Sequence, residues 1–183
     1  MDDRSFSRMR LAGTACVAVA EWAFLAWQHA HGGVPSHHLL DRADMLAISN
    51  GWGALVLPAL AWFLLGRVKR RVTAHGGGSI GGAAIGFFGA LGFGVLLSVF
   101  FTRGADQVTG AMFEPLFPLA LVVPIYRAEY LLGFVLGMAV TFGGVLPGVI
   151  GSLLAPVLWV IHRYLRTGLL LLGRRLVGRA RPT

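Results

Sequence analysis

The segment IGGAAIGFFGALGFGVLLSVFF, from Ile80 to Phe101, is the stretch that decides the fold. It contains no charged residue and is longer than the about 20 apolar residues that a transmembrane helix needs. It is apolar on every face, which is typical of a helix that is fully buried or spans a membrane. Small residues also recur at spacings of three or four, at Gly82, Gly86, Gly89 and Gly92, which favours close packing against another helix.

Five more apolar segments flank this one, and together they predict an all-α, polytopic integral membrane helical bundle with about six transmembrane helices. The chain is 56% hydrophobic and 13% charged, whereas soluble domains carry about 25% charged residues. The last three segments are short or broken by proline, so four crossings with re-entrant segments are the alternative. The predicted segments are 11–28, 47–66, 80–101, 110–126, 130–146 and 148–165.

The basic residues predict the orientation of the bundle. With six crossings, fourteen of the 16 lysines and arginines fall on one side of the membrane, and only Arg42 and Arg103 fall on the other. Because cytoplasmic loops collect basic residues, we expect both termini in the cytoplasm and residues 29–46 outside. The net charge of +8 then reflects topology, and we expect no nucleic-acid partner. A bacterial inner membrane is the expected location.

The chain divides into a membrane domain and a tail. We expect residues 1–166 to form a single transmembrane helical domain, which leaves no room for a separate soluble one. Residues 167–183 alternate leucine and arginine, which predicts a basic amphipathic helix lying on anionic lipid at the cytoplasmic surface. The lipid bilayer is the expected partner, and a homo-oligomer or a larger membrane complex is also possible for a chain of this size.

The loop 29–46 concentrates imidazoles and carboxylates between two apolar segments. Four of the six histidines lie there, and imidazole with carboxylate favours a divalent transition metal such as Zn, Cu or Fe. Their spacing matches no specific metal motif, so the alternative is an exposed polar loop whose histidines have no ligand. The single cysteine, Cys16, excludes a thiolate cage. The predicted metal ligands are His29, His31, His37, His38, Asp41 and Asp44.

Two acidic residues inside apolar segments are the predicted catalytic groups. An ionisable side chain within a transmembrane helix is costly and is a functional hypothesis by default. Glu21 shares a helix face with Gln28 and His29, about 10–12 Å deeper than the loop. Glu114 lies beside Pro115 in the most interrupted segment, where a broken helix can build an ion or substrate site. A buried structural network for Glu21, and an outer loop for Glu114, are the alternatives.

These features favour a metal-dependent membrane enzyme that acts on a lipid-like or small periplasmic substrate. The metal would activate water or oxygen, and Glu21 or Glu114 would act as general base or as an additional ligand. A small transporter or channel with an acidic stripe is the second hypothesis. A non-catalytic subunit of a larger membrane complex is the third.

Overall fold

The computed structural model describes residues 3–38, 47–74 and 78–171, without the side chains of Asp3, His37 and His38. Within these ranges the regular structure is helical apart from one short hairpin, and four of the helices found there are long and apolar enough to cross a membrane. The elements are α1 (Asp3–Ala30), β1 (Ser36–His38), β2 (Ala47–Ser49), a 3₁₀ turn (Asn50–Trp52), α2 (Gly53–Thr73), α3 (Ile80–Thr102), α4 (Asp106–Ala111), α5 (Leu116–Val122), α6 (Ala128–Phe142), α7 (Val145–Val160) and a π-helical turn (Ile161–Leu165).

Helices α3 and α6 form the tightest pair in the bundle, and they run parallel. Gly86 and Tyr130 meet near their first turns, and the rings of Phe101 and Phe142 lie 4.6 Å apart near their last turns. Glycines let the two backbones touch: a Cβ atom at Gly94 would lie 2.7 Å from the Phe134 carbonyl oxygen. Small residues are the usual means by which membrane helices approach this closely.

The predicted glycine face of α3 is partly wrong. Gly86 packs against α6, but a Cβ atom at Gly89 or Gly92 would meet nothing within 4 Å. The buried face of α3 instead includes Ala83, Gly86 and Gly94. Since α3 is apolar all round, its sequence does not indicate which face meets a neighbour.

Helices α1 and α2 are antiparallel and contact each other along their length. Lys69 donates a hydrogen bond to the Ser7 hydroxyl near one end (2.9 Å), and Trp22 donates its indole N–H to the Ala54 carbonyl near the other (3.0 Å). Pro58 explains the second bond. Proline has no N–H, so inside α2 it leaves the carbonyl four residues earlier, at Ala54, without its helical donor. The Trp22 indole supplies the missing donor.

The segment 103–127 returns the chain from the end of α3 to the start of α6, at the opposite end of the bundle. It does so as two short helices, α4 and α5, with a break between them that contains Glu114 and Pro115. The Phe113 ring packs against Phe93 in the middle of α3 (6.4 Å), and the Tyr126 ring packs against His162 beyond the end of α7 (5.5 Å).

The directions of the helices define two ends of the bundle. We call the start of α1, the end of α2, the start of α6 and the end of α7 the basic end, because Lys69, Arg71, Arg127 and Arg166 lie there. The opposite end, with β1, β2, the 3₁₀ turn and the α6–α7 turn, is the hairpin end.

The predicted boundary of the second apolar segment is wrong at its start. Residues 47–49 form β2, which pairs antiparallel with β1 in the register Ser36↔Ser49. The Ser49 hydroxyl then accepts the Gly51 N–H and caps the 3₁₀ turn (3.2 Å), so α2 begins only at Gly53. At its other end α2 continues past residue 66 to Thr73 and includes the basic residues.

We expect Gly133→Ala to destabilise the bundle and Gly92→Ala to leave it intact. A Cβ atom at Gly133 would overlap the Phe87 carbonyl oxygen and lie 2.9 Å from the Leu91 nitrogen, so α3 and α6 would have to separate. Overpacking of this kind costs about 1–3 kcal/mol. Thermal unfolding in detergent measures the difference, and equal unfolding temperatures for the two variants would show that the α3–α6 contact is not tight.

Candidate functional site

The predicted site residues on α1 divide into buried and exposed groups. Glu21 and Gln28, two helical turns apart, are 7% and 8% exposed, whereas His29 is exposed on the neighbouring face. His31 follows the helix end. Its Nδ1 lies 2.9 Å from the Trp27 carbonyl oxygen, and its ring stacks on that of Trp27 (4.8 Å). The structure therefore brings Glu21 and Gln28 to one buried face and leaves both histidines on the surface.

The rest of the predicted metal ligands belong to the hairpin region. His37 and His38 lie in β1, with their backbones opposite Ile48 and Ala47 of β2. Their side chains, and all of Asp41 and Asp44, lie outside the described residues. The pairing of the two strands continues one residue further, where the Asn50 N–H donates to the Pro35 carbonyl (3.0 Å).

No group of three or more His, Cys, Asp or Glu residues lies together within residues 3–38, 47–74 and 78–171. His29 and His31 therefore do not form a metal site with other described residues. A metal site at this end would need side chains from positions 37–46.

The Glu21 carboxylate packs against glycine backbone where three elements meet. Its Oε1 occupies the position that a Cβ atom at Gly53 would take, and the Gly144 nitrogen lies 3.6 Å from that same position. The next residue, Trp22, fixes the position of α1 along α2 through its hydrogen bond to the Ala54 carbonyl. Within the part of the chain that the structure describes, the Glu21 carboxylate has no hydrogen-bond or ion-pair partner, although buried charges are normally paired.

Asn50 lies on the other side of the same α6–α7 turn. It is 4% exposed, and its Oδ1 packs against Gly143, whose φ of +68° favours glycine. The Asn50 Nδ2 and the Gln28 Oε1 are both buried without a partner among the described residues. Gln28 lies about 10 Å further along α1 than Glu21, at 1.5 Å per residue. The α6–α7 turn thus has the Glu21 carboxylate near Gly144 and the Asn50 amide against Gly143, and the Gln28 amide lies further along α1.

This arrangement suits a ligand that carries positive charge or hydrogen-bond donors. A carboxylate accepts several hydrogen bonds or coordinates a cation, and the Asn50 amide can donate to an acceptor on the same ligand. Buried polar groups with unmet hydrogen-bonding capacity are rare in native proteins and call for a specific explanation such as a ligand or ordered water.

Glu114 does not join this group. It lies in the break between α4 and α5, where its N–H donates to the Ala111 carbonyl (3.3 Å) and its carbonyl accepts from Phe117 (3.3 Å). Its side chain is exposed. No described contact connects it with Glu21.

A buried ion pair at the basic end was not predicted from the sequence. Arg71, in the last turn of α2, donates to the carboxylate of Glu129, in the first turn of α6. The side chain of Glu129 is 5% exposed and that of Arg71 is 21% exposed. The sequence does show that Glu129 is an acidic residue in the first turn of an apolar helix, where it complements the helix dipole. It does not show the partner, because Arg71 is 58 residues away.

His162 is a second residue whose role the sequence did not reveal. Its Nδ1 lies 2.7 Å from the Ala120 carbonyl oxygen, and its Nε2 lies 3.3 Å from Arg166 Nη1. The carbonyl can only accept, so Nδ1 carries the proton and Nε2 accepts from the guanidinium. Pro124 again explains the bond, since the residue four positions after Ala120 has no N–H. His162 therefore holds the end of α5 against the π-helical turn.

We expect Glu21→Gln and Glu129→Gln to change stability in opposite directions. Removing the unpaired Glu21 charge should raise the free energy of unfolding by about 1 kcal/mol, because a buried group that is retained for function often costs stability. Glu129→Gln should lower it by about 3 kcal/mol, because it leaves the Arg71 charge without its partner. Thermal unfolding of both variants measures this. If both variants were destabilised equally, Glu21 would have a structural role in the fold.

No protein-family model matches the chain, and neither does any curated protein or solved structure. Its function is therefore inferred from its own side chains. Glu21 is 7% exposed and has no partner among the described residues, and it is a carboxylic acid that packing alone does not explain.

Proposed function

We propose that the chain is a polytopic membrane protein with six crossings and both termini in the cytoplasm. Four apolar helices of sufficient length support a membrane location. Segment 103–127 begins at one end of the bundle and finishes at the other, which supports a fifth crossing that is broken between α4 and α5. Helix α6 runs parallel to α3, which supports α6 as the sixth crossing. The clustering of Lys69, Arg71, Arg127 and Arg166 supports a cytoplasmic basic end.

The proposed domain division and location follow from this topology. Residues 1–166 form the membrane domain of a bacterial inner membrane protein, and residues 167–183 rest on anionic lipid at the cytoplasmic face. Helix continues from the π-helical turn to Leu171, the last described residue, which supports a helical start of this tail.

Impermeant maleimide labelling of intact cells tests this orientation, in a Cys16→Ser background. We expect Ser36→Cys, at the hairpin end, to react from outside. Thr73→Cys and Arg127→Cys, at the basic end, should react only after permeabilisation. Labelling of Arg127→Cys in intact cells would instead support a re-entrant segment 103–144 and four crossings, and labelling of Thr73→Cys would reverse the orientation.

We further propose that the hairpin end is an outward-facing active site, with Glu21 as its general base. The single observation that carries this proposal is the buried Glu21 carboxylate without a partner, packed beneath the hairpin against Gly53. Such a group is costly in a membrane protein and is retained where it serves binding, proton transfer or catalysis. Glu21 suits that role better than Glu114, whose side chain is exposed.

A divalent transition metal is the proposed cofactor. His37, His38, Asp41 and Asp44 would supply ligands from the hairpin region, with His29 and His31 from the end of α1. A metal held there would lower the pKa of a bound water and activate it, and Glu21 would accept the proton. A site at the boundary of the bilayer suits a lipid-like or small periplasmic substrate.

A transporter is the second candidate, and one observation favours it. The unpartnered buried groups on α1, Thr14 Oγ1 and Gln28 Oε1, lie seven residues either side of Glu21 and so share its helix face. The three groups form a polar stripe against the bundle. Each step between them is about 10 Å, so water molecules would have to join them for protons or ions to move along it.

Metal content measured by mass spectrometry tests the enzyme proposal. We expect one equivalent of metal in the wild type, and less than about a tenth of that in a His37→Ala/His38→Ala variant. His75→Ala, in the loop between α2 and α3, is the matched control and should keep its metal. Absence of metal from the wild type after reconstitution with Zn, Cu and Fe would overturn the enzyme proposal and favour the transporter.

A further inference from the structure

A cavity lies away from Glu21, among residues that do not include it. It has a volume of about 360 Å³ and lies between α5 and the three helices α3, α6 and α7. Its walls are almost entirely apolar and include Ala90, Phe93, Leu119, Phe134, Leu154 and Leu158. Its size falls within the range of about 300–1,000 Å³ that is typical of ligand sites.

The cavity runs from the middle of the bundle towards the basic end. On α7 it extends from Gly151 to Leu158, a rise of about 10 Å along the helix axis. Only Tyr130 among its lining residues has a polar side chain. An apolar cavity of this kind excludes water and takes an apolar occupant.

Basic side chains follow directly at the basic end of this cavity. His162 lies one helical turn beyond the lining residue Leu158, and Arg166 contacts it. Arg127 comes two residues after the lining residue Ile125. At the basic end of the described chain, the Glu129 carboxylate pairs with Arg71. It pairs with neither Arg127 nor Arg166. The positive charge beside the cavity is therefore available to an anion.

We propose that this cavity binds one acyl chain of an anionic phospholipid, whose phosphate contacts Arg166 and Arg127. The combination of an apolar slot between transmembrane helices and a basic rim matches both parts of such a lipid. The proposal rests on the membrane location proposed above but not on Glu21 or on a metal.

His162 has a defined part in this site. It donates to the Ala120 carbonyl and so holds α5, which supplies Leu116 and Leu119 to the cavity wall and is followed there by Val123. Its other nitrogen orients the Arg166 guanidinium. One imidazole therefore connects the apolar wall with the group that would bind the phosphate.

Two glycines on α3 provide a matched pair of variants. A Cβ atom at Gly89 or at Gly92 meets nothing within 4 Å, so the first atom of a side chain has open space at both positions. Gly89 lines the cavity and Gly92 does not. Gly89→Phe should fill the cavity, whereas Gly92→Phe should leave it open.

The test uses the full chain in vesicles that contain equal amounts of phosphatidylglycerol and phosphatidylcholine with identical acyl chains. After detergent extraction, native mass spectrometry counts the lipids that remain bound. We expect the wild type and Gly92→Phe to retain one lipid, with phosphatidylglycerol favoured at least fivefold, and Gly89→Phe to retain less than a fifth as much. Arg166→Gln should reduce the preference for phosphatidylglycerol.

Three results would overturn the proposal. They are equal retention by Gly89→Phe and Gly92→Phe, no retained lipid in the wild type, or an unchanged headgroup preference in Arg166→Gln. Metal content and maleimide labelling are independent of all three, so a failure here is distinguishable from a failure of the proposed topology or active site.

Discussion

A backbone carbonyl that loses its helical donor inside a bilayer has to find another donor, and at Pro58 and at Pro124 a distant side chain supplies it. Pro58 leaves the Ala54 carbonyl open, and Pro124 leaves the Ala120 carbonyl open. Each is satisfied by an aromatic N–H from a distant element, Trp22 in one case and His162 in the other. These two bonds join α1 to α2 and α5 to the π-helical turn, and both proposed sites depend on them.

The Trp22 bond sets the position of Glu21. It fixes how far α1 slides along α2, and the side chain just before Trp22, that of Glu21, then meets Gly53, which has no Cβ to exclude it. The α6–α7 turn approaches the same point through the Gly144 nitrogen. The carboxylate is thus enclosed by backbone from two other elements without receiving a hydrogen bond from either, which distinguishes it from Glu129 with its bound arginine.

The sequence predicted the parts of this molecule that depend on local pattern. Apolar runs located the long helices, and helical periodicity placed Glu21 and Gln28 on one face. His29, one residue beyond Gln28, is rotated by about 100° and is exposed. The hairpin was missed because strands of three residues carry no usable periodicity. The role of His162 has no local signal in the sequence, since the carbonyl that it satisfies is 42 residues away. The partner of Glu129 is similarly distant in sequence.

The length of α6 has a consequence for the surrounding membrane. Its 15 residues rise about 22 Å, whereas the hydrocarbon layer of a typical bilayer is about 30 Å thick. With 28 residues, α1 extends well past the level of the α6–α7 turn. α6 is packed among its neighbours, with Val140 as its exposed residue. In the proposed topology the shortfall therefore falls on the α6–α7 turn, and the headgroup layer would dip there to keep the turn away from acyl chains. Such a depression would lower the water surface towards Glu21, so that a water-soluble molecule could reach the carboxylate without any channel through the protein.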